Sequence, residues 1–175
     1  MNGLELIKEN VRSIKDFPVK GIIFRDITTA IKDKDSLRAI INALTEIFTG
    51  KGIDYVAGVE ARGFVFASAL AYNINSGCIL IRKPGKFPAE PISEEYTLEY
   101  GTNKIEMHKD AIEPGKKVIV IDDLLATGGT VAAACKLLTR AGAEIKAAAF
   151  VIELTELNGR AKLPENIEVV SLVSY

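Results

Sequence analysis

VIVIDDLLATGGT, residues 118–130, is the stretch whose reading decides the fold. Four β-branched apolar residues run into two adjacent carboxylates, Asp122 and Asp123, and Thr-Gly-Gly-Thr closes the stretch at 127–130. A short, continuously apolar run reads as a strand buried on both faces. The small residues after it read as a turn. Residues 129–141, with Val131, Cys135, Leu138 and neighbouring alanines, read as a helix. Strand, turn and helix in this order predict a parallel α/β sheet. Ligands of such sheets bind at the carboxyl ends of the strands.

The same rhythm extends outward. YVAGV (55–59), GCILI (77–81), AAAFVIEL (147–154) and IEVVSLVSY (167–175) are further apolar runs. FVFASALAYNI (64–74) reads as the helix between the first two. The predicted fold is therefore α/β, a twisted parallel sheet flanked by helices on both faces, with right-handed crossovers. Upstream, Leu4, Ile7, Val11 and Ile14 recur at helical spacing and predict a helix over 3–15. Leu37, Ile40, Ile41, Leu44, Ile47 and Phe48 predict another from about 35 to 49, with Asp35 or Ser36 as its N-cap and GKG (50–52) as its end. Residues 82–101, RKPGKFPAEPISEEYTLEYG, hold three prolines and no sustained period, and read as a long loop over the site. TNKIEMH (102–108) alternates, as a strand of a hairpin would.

Composition limits the function classes. The 175 residues, 48% hydrophobic and 26% charged, suit one soluble domain with a sizeable core. A formal charge of −1 gives no whole-chain attraction to nucleic acid or membrane. No signal-peptide pattern opens the chain, and the expected compartment is the cytoplasm. Cys78 and Cys135 are far apart in apolar settings, and one histidine cannot build a zinc site.

The chemistry concentrates around the turn. Ala126, Thr127, Gly128, Gly129 and Thr130 lead into a helix N-terminus, where unpaired N–H groups and the helix dipole favour an anion. The Gly-Lys pairs at 50–51, 85–86 and 115–116 lack Walker A spacing, and no GxGxxG is present. Two carboxylates pointing at a phosphate would repel it. They fit instead as acceptors for vicinal hydroxyls or as partners of Mg²⁺. Phosphate at one end and hydroxyls nearby describe a sugar phosphate. In GVEARGF, Arg62 sits beside Gly63 after a predicted strand and can offer a guanidinium and backbone N–H groups to an anion; a surface ion pair is its commoner fate. Arg82, Lys83 and Lys86 form a basic run with no acid before Glu90. Glu99, read from the residues alone, is a surface position on a hairpin strand. In FRD (24–26), Phe24 reads as core and Arg25 with Asp26 as a local ion pair.

VIVIDDLLATGGT resembles the 5-phosphoribosyl-1-pyrophosphate (PRPP) motif of the type I phosphoribosyltransferases. With DFPVKGIIFRDIT (16–28), VAGVEARGF (56–64) and RKPGKFP…EEYTLEYG (82–101), the whole chain is similar to the members of that family that act on adenine. The resemblance implies that Asp122 and Asp123 bind the ribose hydroxyls and residues 126–130 the 5-phosphate. It implies a pyrophosphate loop at Glu60, Ala61, Arg62 and Gly63, often with a cis 60–61 peptide. Lys83 and Lys86 join it, and Arg82 reaches the pyrophosphate of a neighbouring subunit, which implies a homodimer. Glu99 handles the purine N7 proton, with Arg62 and Arg82 completing the catalytic set, and Tyr100 helps close the loop. Ile23, Phe24 and Arg25 form a hood over the base; Lys20 stands where many members carry proline and implies a local loop difference.

The expected organisation is one domain over 1–175, with a hood at 1–34 and a flexible loop and hairpin at 82–108. The expected activity joins adenine to PRPP, giving AMP and pyrophosphate, with Mg²⁺ held mainly through PRPP and water. The alternatives are a 6-oxopurine (hypoxanthine, guanine or xanthine) phosphoribosyltransferase and a PRPP-sensing regulatory protein. The second usually adds a DNA-binding segment, for which this chain shows neither room nor a basic helical stripe.

Overall fold

The computed structural model describes residues 3–98 and 101–175, in two units, residues 1–47 and 48–175. In the first unit the apolar period from Leu4 to Ile14 does not make one helix. Helix α1 (Gly3–Asn10) stops, and Arg12–Lys15 becomes strand β1, antiparallel to β2 (Ile23–Asp26). A helix of three turns or fewer is marginal by itself, so a tertiary pairing can override it. Here Arg12 lies opposite Asp26 and donates to its carboxylate from both Nε and Nη2. The Arg25 guanidinium donates to the hydroxyl of Ser13, its partner across the β1–β2 pair. Two helices follow, α2 (Thr28–Lys32) and α3 (Lys34–Phe48). The cap of α3 is Asp33, two or three residues earlier than predicted: its Oδ1 accepts the Ser36 N–H at 2.8 Å.

The second unit is the predicted sheet. All five apolar runs are strands: β3 (Tyr55–Val59), β4 (Gly77–Ile81), β7 (Lys117–Leu125), β8 (Glu144–Glu153) and β9 (Glu168–Ser174). Their order is β4-β3-β7-β8-β9, every pair parallel. Helix α4 (Gly63–Asn73) leads from β3 outward to β4, and α5 (Gly129–Arg140) from β7 outward to β8 on the other side. Right-handed crossovers running in opposite directions put the two helices on opposite faces. Val131, Ala134, Cys135 and Leu138 of α5 share a core with Val118, Val120, Ala148 and Phe150 of the sheet. Val118 to Ile121 are fully buried, and each contributes roughly 1.5–3 kcal/mol of burial.

The predicted long loop is shorter than its prolines implied. Its second half forms strand β5 (Pro91–Leu98), paired antiparallel with β6 (Gly101–His108) from Pro91↔His108 to Leu98↔Gly101. Ile92 and Tyr96 turn one face of this hairpin to the core, beside Ile105 and Met107 of β6. Arg140, at the end of α5, ties the hairpin down through the Glu94 carboxylate at 2.8 Å. No helix among the described residues is long and apolar enough to cross a membrane.

Candidate active site

Chain direction along the sheet reverses between β3 and β7, so the crevice at their carboxyl ends is the switch point of the fold. Pairing between the two strands stops at Gly58↔Ile121. β7 does not end at its acids, as predicted, but continues to Leu125 on the β8 side, with Asp122 opposite Phe150 and Leu125 opposite Glu153. The two carboxylates therefore sit on a strand held on one edge and free on the other. Asp123 is buried, and Asp122 half-buried.

The loop after β3 comes up beside them. The Glu60–Ala61 peptide is cis. Arg62 Nε donates to Asp123 Oδ2 at 2.5 Å. Asp122 Oδ1 accepts the backbone N–H of Asp123 at 2.8 Å. Burial pushes the Asp122 carboxyl well above the usual carboxylate range, and the neighbouring Asp123 charge pushes it further. Gly63, the first residue of α4, lies so close to β7 that a Cβ on it would meet the Ile121 carbonyl at 2.8 Å and Asp122 Oδ1 at 3.2 Å. Only a residue without a side chain allows this approach.

Residues 126–130 form the turn expected from their composition. Gly128 has φ 78°, in the left-handed region that glycine adopts without strain, and α5 starts at Gly129. A cavity of about 70 Å³ runs from Asp122 along residues 124–131. That is several times the space one water needs. The N-terminus of α5 opens into it, and Thr127 and Thr130 stand on its wall. The turn thus offers backbone N–H groups and two hydroxyls to the same cavity that Asp122 lines.

The basic run lies on the same unit. Glu60 Oε2 accepts the Lys83 N–H at 2.8 Å and faces Arg82 Nε at 3.4 Å. The Arg82 guanidinium also donates to the Lys86 carbonyl at 3.2 Å and lies over the Phe87 ring. The Lys83 and Lys86 side chains are exposed. Glu60 is therefore bound to the basic run within the chain, where sequence grouped it with the anion ligands. Ile23, Phe24 and Arg25 fall on β2 of the N-terminal unit, where Phe24 packs edge-on to Phe17 with ring centres 5.3 Å apart. Glu99 and Tyr100 lie outside the described residues.

Two groups at the cradle had no signal in the sequence. The Tyr96 phenol of β5 accepts a hydrogen bond from the Thr130 hydroxyl at 3.3 Å. Behind the turn, Gly159 packs its backbone against Ala126 and Gly128. Burial pushes the Cys135 thiol up to about 12, whereas Cys78, whose thiol partial desolvation raises, is an exposed residue of β4 and not the core residue its apolar neighbours suggest. Among the described residues no three His, Cys, Asp or Glu side chains are grouped so as to hold a metal ion.

Paired acids, a loop arginine and a glycine-built helix N-terminus at a switch point define a protein that takes a phosphorylated ligand bearing hydroxyls. Comparison with known proteins narrows the class. The family described as phosphoribosyl transferase domain matches residues 28–173. An adenine phosphoribosyltransferase of Clostridium perfringens is 53% identical over 169 residues, covering 97% of this chain and 98% of the relative. The solved adenine phosphoribosyltransferase of Thermoanaerobacter pseudethanolicus superimposes with a TM-score of 0.94 at 46% identity, covering 98% of this chain and 99% of that one. That of Saccharomyces cerevisiae, complexed with adenine and an imino-altritol bisphosphate, gives 0.91 at 36% identity, covering 98% of each chain. The chain belongs to the phosphoribosyl transferase domain family and, within it, to the adenine phosphoribosyltransferases.

Proposed function

We propose that the chain joins adenine to PRPP, forming AMP and releasing pyrophosphate, as a step of purine salvage. One observation carries this reading: Asp122 lines one cavity with the turn at 126–130, and its neighbour Asp123 is ion-paired to Arg62. The family and the adenine held by the yeast relative support the choice of base.

In this reading Asp122 and Asp123 accept hydrogen bonds from the ribose 2- and 3-hydroxyls. The N–H groups and hydroxyls of 126–130 hold the 5-phosphate. Arg62, the backbone of 60–63, and the charges of Arg82, Lys83 and Lys86 receive the pyrophosphate. The C1–O bond to pyrophosphate breaks, the N9–C1 bond forms through an oxocarbenium-like transition state, and the purine N7 proton passes to Glu99. Ile23 and Arg25 offer backbone hydrogen bonds to adenine, and Phe24 packs on it. Residues 1–34 act as a hood and 82–108 as a closing loop of one 1–175 domain, with Tyr100 aiding closure. Placement of substrates and exclusion of water supply most of the acceleration.

Mg²⁺ fits as a companion of the substrate. Two acids offer oxygen donors, too few for a cage of protein ligands, so its other ligands would be pyrophosphate oxygens and water. When bound it supplies neutralisation of the charge gathering on the leaving group. A cytoplasmic homodimer completes the reading, with Arg82 released from Glu60 to reach across the interface.

The test is a steady-state assay of PRPP with each purine base, with and without Mg²⁺. AMP formation from adenine that requires PRPP and Mg²⁺ is the expected result. Faster turnover of hypoxanthine, guanine or xanthine would overturn the base assignment, because a site ordered for adenine leaves polar groups unpaired against a 6-oxopurine. PRPP binding without any AMP formation would indicate a PRPP sensor.

A further inference from the structure

The cradle at 126–130 is built of Ala, Thr, Gly, Gly and Thr, with little side chain to hold its own shape. Something else must keep its N–H groups aimed. Behind it runs the segment 154–163, a pair of 3₁₀ turns after β8. Its contact with the cradle is backbone on backbone. A Cβ on Gly159 would fall 2.2 Å from the Ala126 carbonyl oxygen and 3.1 Å from the Gly128 nitrogen, and one on Gly128 would fall 2.3 Å from the Gly159 oxygen. Asn158, just before, takes a left-handed φ of 48°, so the chain turns sharply to present Gly159.

What fixes this turn is Arg160. Its Nε and Nη2 donate to the two oxygens of the Glu153 carboxylate, both at 2.7 Å, in a fork that a planar guanidinium fits. Nη1 donates to the Val169 carbonyl at 3.1 Å, and Nη2 also to the Ser171 hydroxyl at 3.4 Å. Arg160 is thus tied to the last residue of β8 and to Val169 and Ser171 of β9. Leu154 N–H donates to the Leu125 carbonyl at 2.9 Å just before the cradle, and Leu163 is buried at the far end of the segment.

We propose that Arg160, held by Glu153, is a positioning residue for the 5-phosphate: it presses the Gly159 backbone against the cradle and sets the aim of the N–H groups at 128–130. This rests on the reading of 126–130 as the phosphate site. Arg160 touches no substrate, and its effect belongs to the ligand's phosphate end and not to the base.

Arg160→Lys keeps the charge but loses the fork, and Gly159→Ala pushes on the cradle directly. Both are tested against wild type in steady-state kinetics, with ribose 5-phosphate binding measured by calorimetry well below the melting temperature. For Arg160→Lys the expected result is a rise of about tenfold in KM for PRPP and in Kd for ribose 5-phosphate, with KM for adenine within about twofold, since small misplacements of a site carry large factors. Glu153→Gln should move in the same direction. If Arg160→Lys melts lower while its ribose 5-phosphate affinity stays at the wild-type value, Arg160 is merely structural and the proposal falls. If KM for adenine and PRPP rise together, it falls as well. If wild type itself does not bind ribose 5-phosphate, the cradle assignment falls first and takes this inference with it. Should Arg160→Lys not fold, Gly159→Ala carries the same expectations.

Discussion

Arg62 and Asp123, 61 positions apart in the chain, form an ion pair across the mouth of the β3–β7 crevice. The arginine is half-exposed and the acid buried, so the site carries its own counter-charge before a substrate arrives. On the proposed reading, PRPP brings hydroxyls for the acid and phosphates for the arginine, and each exchanges its partner. Arg62→Lys keeps a charge but not the fork. Steady-state kinetics should show kcat/KM for PRPP reduced by about 10²-fold, in the range of lost transition-state donors. Wild-type kcat/KM would remove Arg62 from the reaction.

Gly63 gives the sharpest steric prediction. A methyl group there meets the Ile121 carbonyl and the Asp122 carboxylate. Gly63→Ala should destabilise the protein by about 1–3 kcal/mol, as overpacking does, and should weaken PRPP binding because Asp122 must shift. Denaturant unfolding and PRPP titration measure the two effects.

Asp122 illustrates a site residue held at the expense of stability. Its carboxyl lies above the unfolded value of 3.8 because of burial and then the Asp123 charge. A raised acid favours folding while protonated, so its contribution is present below pH 3.8 and is lost as pH rises through the folded value. Asp122→Asn keeps the acceptor for the Asp123 N–H and removes the charge. The unliganded variant should melt higher at neutral pH, by roughly 2–4 °C for each ~1 kcal/mol gained, while its PRPP affinity falls. A lower melting point together with unchanged PRPP affinity would contradict both halves.

Asp26 behaves oppositely. Hydrogen bonds from Thr28, then from Arg12, lower its carboxyl from 3.8 to about 2. A lowered acid stabilises the fold above the unfolded value and stops doing so as pH falls through the folded one. Asp26→Asn should cost on the order of 1–2 kcal/mol at pH 7, after screening by the water around Arg12. That gap from wild type should close between about pH 4 and pH 2. Urea unfolding at a series of pH values reads it directly.

The sheet was legible because its strands are continuous apolar runs separated by helices, a signal that depends on neighbours in sequence. The turn at 126–130 and the acids before it were legible for the same reason. The segment 3–15 was misread because Ile14 fits a helical stripe and an alternating strand equally, and the partner that decides, β2, lies beyond a turn. The strand β5 was masked by prolines and by a polar outer face. Nothing marked Gly159 and Arg160: an Asn-Gly-Arg turn is ordinary, and its meaning comes from which backbone it presses. Arg62 and Asp123 were each singled out, but their pairing belongs to the tertiary fold.

The order β4-β3-β7 has a consequence for how the protein is made. Arg62 and its loop leave the ribosome 61 residues ahead of Asp123. At about 5–20 residues per second this is a wait of roughly 3–12 s. During that interval β3 has no β7 to lie against and the crevice does not exist. On the proposed reading, a nascent chain stalled before Asp122 carries Arg62 and its loop but neither the two acids nor the turn at 126–130 that complete the PRPP site.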